Sequence, residues 1–77
     1  MARYFFDTFD GETWIVDNEG VECADREEAR RNAHAALPDI AKDELPDSSQ
    51  RLMIVRVRDG GGPLMETSLD LQTVWLR

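Results

Sequence analysis

The residues best able to do chemistry are carboxylates, and they crowd one end of the chain. Asp7, Asp10, Glu12, Asp17, Glu19, Glu22 and Asp25 follow Arg3 before any further Lys or Arg. A hard cation such as calcium takes several carboxylate and carbonyl oxygens. Asp7, Asp10, Asp17 and Glu19 are therefore the candidates for a small-ligand or divalent-metal module. The calcium-loop spacing D-x-D-x-D-G is absent, because residues 7–11 read D-T-F-D-G. Turn chemistry explains the same residues more simply: Asp10, Asp17 and Asp25 each stand where Asp favours a turn or a helix cap.

The remaining reactive groups are sparse. Cys23 and His34 would make an activated thiolate only side by side. Cys23 precedes a helical pattern in which His34 lies nine residues beyond the Asp25 cap, so the rise of ~1.5 Å per residue separates them. Arg30 and Arg31 fall on that helix. Arg56 and Arg58 share a strand face with Ile54, where they could meet an anionic partner or nucleic acid. A solvated sheet face or an ion pair suits them better in a chain of net charge −7. Gly60-Gly61-Gly62 is no phosphate cradle, since Pro63 and a strand follow instead of a helix carrying Lys and Ser or Thr. No catalytic residue, cofactor-binding residue or metal-ligand set is nominated.

These side chains must be positioned by a few short elements. Residues 3–8 form an aromatic strand, and Asp10-Gly11 turns it into a second strand at 13–16. Asp17-Asn18-Glu19-Gly20 is another turn, and Val21-Glu22-Cys23 fits a third, edge strand. Asp25 caps a helix, with Glu28 completing a capping box. Ala29, Ala33, Ala36, Leu37, Ile40 and Ala41 make one apolar stripe along it. Pro38 predicts a kink, or a break with a second short helix, because it removes the bond to the His34 carbonyl. The helical pattern ends at Glu44-Leu45-Pro46, and Asp47-Ser48-Ser49 is a loop. Residues 52–58 are a strand with Met53, Val55 and Val57 on one side. A glycine turn closes a hairpin to a last strand at 64–75. The expected fold is α+β: an antiparallel sheet of four to five strands in the order β-β-(β)-α-β-β, with one helix packed on one face.

Composition sets the outer limits. The 77 residues allow one domain, 1–77. A chain of this size buries only ~60% of its unfolded surface, and its single Cys makes no internal disulfide, so assembly is a ready source of further buried area. The acidic balance disfavours nucleic acid. No apolar run approaches the ~18 residues of a membrane span, and no signal peptide is recognisable, so the expected location is the cytoplasm. One helix covers one sheet face, yet Leu52 and Ile54 are apolar opposite Met53, Val55 and Val57. Tyr4 and Phe6 likewise alternate with Phe5 and Phe9. Surplus apolar surface marks a contact site. The candidate interaction surface is Tyr4, Phe6, Leu52, Ile54, Arg56 and Arg58. It is covered either by a second copy or by Trp75 and the residues around it folding over.

Several motifs occur in a telling order: Arg3-Tyr4-Phe5-Phe6-Asp7, Asp17-Asn18-Glu19-Gly20-Val21-Glu22, Glu28-Ala29-Arg30, Ala41-Lys42-Asp43-Glu44-Leu45 and Val57-Arg58-Asp59. This set resembles a small bacterial family of unknown function with the pattern R-Y-F-x-D, D-x-E-G-x-E, E-A-x-R and A-x-D-E-L. The resemblance implies a compact stand-alone domain with no assigned activity. More distantly, the first 45 residues are similar in layout to antitoxin domains of HicB type, which implies binding to a small basic protein. The expected function is thus a non-enzymatic interaction domain acting as a homodimer, with a basic protein as a further partner. The alternatives are the cation or small-ligand module and, behind it, a nucleic-acid binder through Arg56 and Arg58.

Overall fold

A computed structural model describes residues 1–44 and 50–77. Five strands and one helix follow one another as β1 (Ala2–Phe9), β2 (Trp14–Ile15), β3 (Val21–Cys23), α1 (Arg26–Glu44), β4 (Gln50–Asp59) and β5 (Gly62–Gln72). All strand pairs are antiparallel. The sheet order is β2-β1-β4-β5, with β3 also on β1. This is the α+β layout expected from the sequence, with five strands.

The helix starts as its cap dictates. The Glu28 N–H donates to Asp25 Oδ1 at 2.9 Å, and Glu28 Oε2 in turn accepts the Ala24 N–H at 3.1 Å. One orphan N–H of the first turn, and the N–H just ahead of the cap, are satisfied this way. The single helix runs through Pro38, so the expected break into a second helix does not occur. Ala33, Leu37 and Ala41 are buried along its sheet side while Pro38 is exposed. Packing on both sides of the proline thus offsets the one lost hydrogen bond. The expected helix stop at Leu45-Pro46 and the loop at Asp47-Ser48-Ser49 lie outside the described residues.

The core lies between α1 and one sheet face. Met53, Val55, Val57, Cys23, Ala29 and Ala33 are fully buried, with Tyr4, Leu37 and Ala41 nearly so. Four alanines let the helix approach closely, so the strands supply the bulk. The last strand ends at Gln72, short of the expected Trp75. Gln72 is paired with Gln50, the first residue of β4, and the pairing register extends no further among the described residues. Residues 73–77 leave the sheet without regular structure, and Val74, Trp75 and Leu76 are 75%, 85% and 91% exposed. They do not fold over the uncovered face.

Candidate functional site: a clasped sheet edge and an open apolar face

Strands β2 and β3 are two pieces of one interrupted edge. Thr8 pairs with Ile15 and Tyr4 pairs with Val21. Residues 5–7 of β1 therefore face residues 16–20, a stretch longer by two. In this gap a side chain replaces the strand. The Phe6 N–H donates to Asp17 Oδ2 at 3.0 Å, and the Asp17 N–H donates to Asp7 Oδ1 at 2.9 Å. Asp17 Oδ1 also accepts the N–H groups of Glu19 and Gly20, each at 3.0 Å. The extra length explains why β2 is shorter than the expected 13–16 strand.

Gly20 is required at the end of this turn. Its φ is +75°, and a Cβ there would lie 2.8 Å from Arg3 Cγ and 2.9 Å from the Tyr4 carbonyl oxygen. Arg3 closes over the same loop by donating to the Glu19 carbonyl at 2.7 Å and pairing with Glu22 at 3.1 Å.

Arg58 of β4 completes the clasp. Its Nε donates to Asp7 Oδ2 at 2.9 Å, and its Nη2 donates to Asp7 Oδ1 at 3.3 Å and to the Asp17 carbonyl at 2.6 Å. The guanidinium also sits 4.6 Å over the Phe5 ring. Asp7, at 8% exposure, is buried only because this fork neutralises it. Burial pushes the Asp7 carboxyl up, but Arg58 and the Asp17 N–H outweigh it and hold Asp7 below the usual carboxylate range. Burial acts on Asp17 in the same way, and the N–H groups of Gly20, Phe6 and Glu19, with Arg58, bring it down too. The Asp10 carboxyl is lowered by the N–H groups of Thr13 and Glu12 that it caps.

These bonds commit the acidic cluster to architecture. Asp7, Asp10 and Asp17 point their oxygens at N–H donors, and among the described residues no three His, Cys, Asp or Glu gather to hold a metal ion. Cys23 and His34 are apart in role as well as position. Cys23 is fully buried and takes a 3.5 Å contact from Asn32 Nδ2, whereas His34 is exposed on the helix. Burial, with help from Glu28, raises the Cys23 thiol and disfavours the thiolate.

The sheet face away from the helix is uncovered among the described residues. Register puts Phe5 opposite Arg58, Asp7 opposite Arg56 and Phe9 opposite Ile54. On the other side of β4, Arg56 faces Glu66 and Leu52 faces Asp70. Directly opposed residues share a face, so Phe5, Phe9, Leu52, Ile54, Arg56 and Arg58 all lie on the open side. Trp14 joins them, 5.1 Å from Phe9 between ring centroids, with the Arg56 guanidinium 4.6 Å over its own ring. Arg56 Nε also reaches Glu66 Oε2 at 2.5 Å. Leu52 is 42% exposed and Trp14 38%.

The six residues expected to form one interaction surface are therefore split. Leu52, Ile54, Arg56 and Arg58 share the open face. Tyr4 is buried in the core and Phe6 packs against it on the helix side. Their correct partners on the open side are Phe5, Phe9 and Trp14. Alternation along β1 shows which aromatics go together, but the pairing of β1 with β4 chooses the face. Asp7 carried one earlier signal: an acid in the middle of an aromatic strand is disfavoured unless a cation meets it.

Fold and clasp together define a small α+β domain whose single helix leaves half the sheet open. The chain belongs to a family described as a domain of unknown function (DUF6894), whose model matches residues 3–70. This agrees with the unknown-function family expected from the ordered motifs, and it adds no support for the HicB-type likeness. A search of the curated proteins finds no match, and a search of the solved structures finds none. Among the described residues, no helix is long and apolar enough to cross a membrane.

Proposed function

We propose that this domain is a non-enzymatic interaction module that pairs with a second copy of itself through the open sheet face. The observation that carries this reading is the face built by Phe5, Phe9, Trp14, Leu52 and Ile54, which no segment covers among the described residues. Its charged members suit a like partner. Arg56 and Glu66 stand side by side, and a two-fold axis can set each against its opposite number in the other copy. Such a pairing adds the buried area that a 77-residue chain lacks. The buried, unpaired Cys23 fits a reducing compartment such as the cytoplasm. Exposed carboxylates, Glu12 and Glu27 among them, offer a basic protein a second surface. The cation-module alternative draws no support from carboxylates already engaged by N–H groups.

Light scattering coupled to size exclusion tests the pairing. A dimer mass at tens of micromolar is expected, with Ile54→Lys returning the chain to a monomer at that concentration while its circular dichroism stays unchanged. A monomer throughout for the parent chain overturns the reading.

A further inference from the structure

A second unfilled surface lies on the helix side of the sheet. A groove of about 410 Å³ runs between α1 and the clasped edge. Phe6, Val21, Ala35 and Ala36 make its apolar lining, and Asp17 and Asp39 stand at its polar margins. Its size falls within the range of about 300–1,000 Å³ typical of pockets that accept a compact organic group. The same chain carries a matching occupant. Val74, Trp75 and Leu76 are the three most exposed large apolar residues after β5, and the cationic Arg77 follows them.

A chain cannot insert this segment into its own groove. Gln72 pairs with Gln50, whereas Phe6 pairs with Val57, seven residues further along β4. At roughly 3.3 Å per residue along a strand and about 4.8 Å between strands, Phe6 lies on the order of 25 Å from Gln72. Trp75, three residues beyond Gln72, extends the chain by only about 10 Å.

We infer that residues 74–77 of one copy dock in the helix-side groove of another, with the Trp75 indole against Phe6 and Ala36 and Arg77 beside Asp39. This contact goes beyond the open-face pairing and uses a different surface. Three apolar residues bury less than a sheet face, so it forms at higher concentration. The segment follows the 3–70 stretch that the family model matches.

Trp75 reports on its own docking. With Trp14→Phe to leave one indole, the emission of Trp75 should move to shorter wavelength between tens and several hundred micromolar. Scattering mass should rise with it. Ala35→Phe fills the groove from an exposed helix position and should weaken the transition at least ten-fold, and Trp75→Ser should weaken the rise in mass equally. Ile54→Lys should leave the emission shift in place. Solvated emission at every concentration overturns the docking, and a dimer of the parent chain, with Trp14 in place, at tens of micromolar leaves the open-face reading standing. An emission shift that Ala35→Phe does not alter also overturns it, because another surface then holds the indole.

Discussion

Replacing Asp17 by Ala removes one carboxylate and strands three backbone donors, those of Phe6, Glu19 and Gly20. The Phe6 N–H is the costly one. It lies in the gap of the β1 edge, and an unmet buried donor costs about 1–3 kcal/mol. The Glu19 and Gly20 donors face water more freely and add roughly 1 kcal/mol together. The expected loss is about 2–4 kcal/mol. At about 4–8 °C per kcal/mol for a domain of this length, the thermal midpoint should drop by at least 8 °C.

Asp17→Asn separates the contributions. Its carbonyl keeps the Glu19 and Gly20 bonds, but its amide faces the Phe6 N–H donor to donor, so its loss should fall between those of the parent and Asp17→Ala. Acid gives a second readout. Asp7 and Asp17 both titrate below their ordinary value in the fold. The stability they confer is complete above the unfolded carboxylate value of about 3.9 and fades as pH falls through the lowered folded values. The parent midpoint should therefore fall steeply below about pH 4, and Asp17→Ala should show a shallower fall over the same range. Differential scanning calorimetry measures all of this. A midpoint change under 3 °C for Asp17→Ala, or an undiminished acid slope, would refute the clasp as the element that holds the β2–β3 loop.

Gly20→Ala should cost about 2–3 kcal/mol, because it combines a positive φ with a Cβ 2.9 Å from the Tyr4 carbonyl oxygen; Gly60→Ala, with nothing within 4 Å, should be near neutral in the same denaturant titration. Cys23 should resist a thiol-reactive dye at neutral pH in the native state and label readily in denaturant, since burial both shields the thiol and disfavours its thiolate. Millimolar calcium, magnesium or zinc should leave the thermal midpoint unchanged, and a clear rise with any one of them would revive the cation-module alternative.

How far the sequence reaches can be judged residue by residue. The Asp25–Glu28 cap and the Ala29-to-Ala41 stripe were readable because both depend on neighbours within two turns. The alternation of Met53, Val55 and Val57 was readable because a strand's side-chain period is two. The turn roles of Asp10 and Asp17 were visible for the same reason: each carboxylate caps N–H groups two or three residues ahead. Pro38 illustrates a local rule overruled. Its cost was legible, but the packing of Leu37 and Ala41 that offsets it was not.

Tertiary structure alone decided which face each alternating residue occupies. A one-residue change of register between β1 and β4 would exchange Tyr4 and Phe6 for Phe5 and Phe9, and nothing within either strand specifies that choice. It also joined Arg58 to Asp7 across 51 positions and let Asp17 fill the gap in the β1 edge. These contacts bring together residues far apart in the chain, so no local spacing encodes them. What the sequence determined by itself was the set of elements and the acid-rich turns between them. What the packed sheet decided was that the acids hold the edge together, with Tyr4 and Phe6 turned to the helix and Phe5, Phe9 and Trp14 left on the open face.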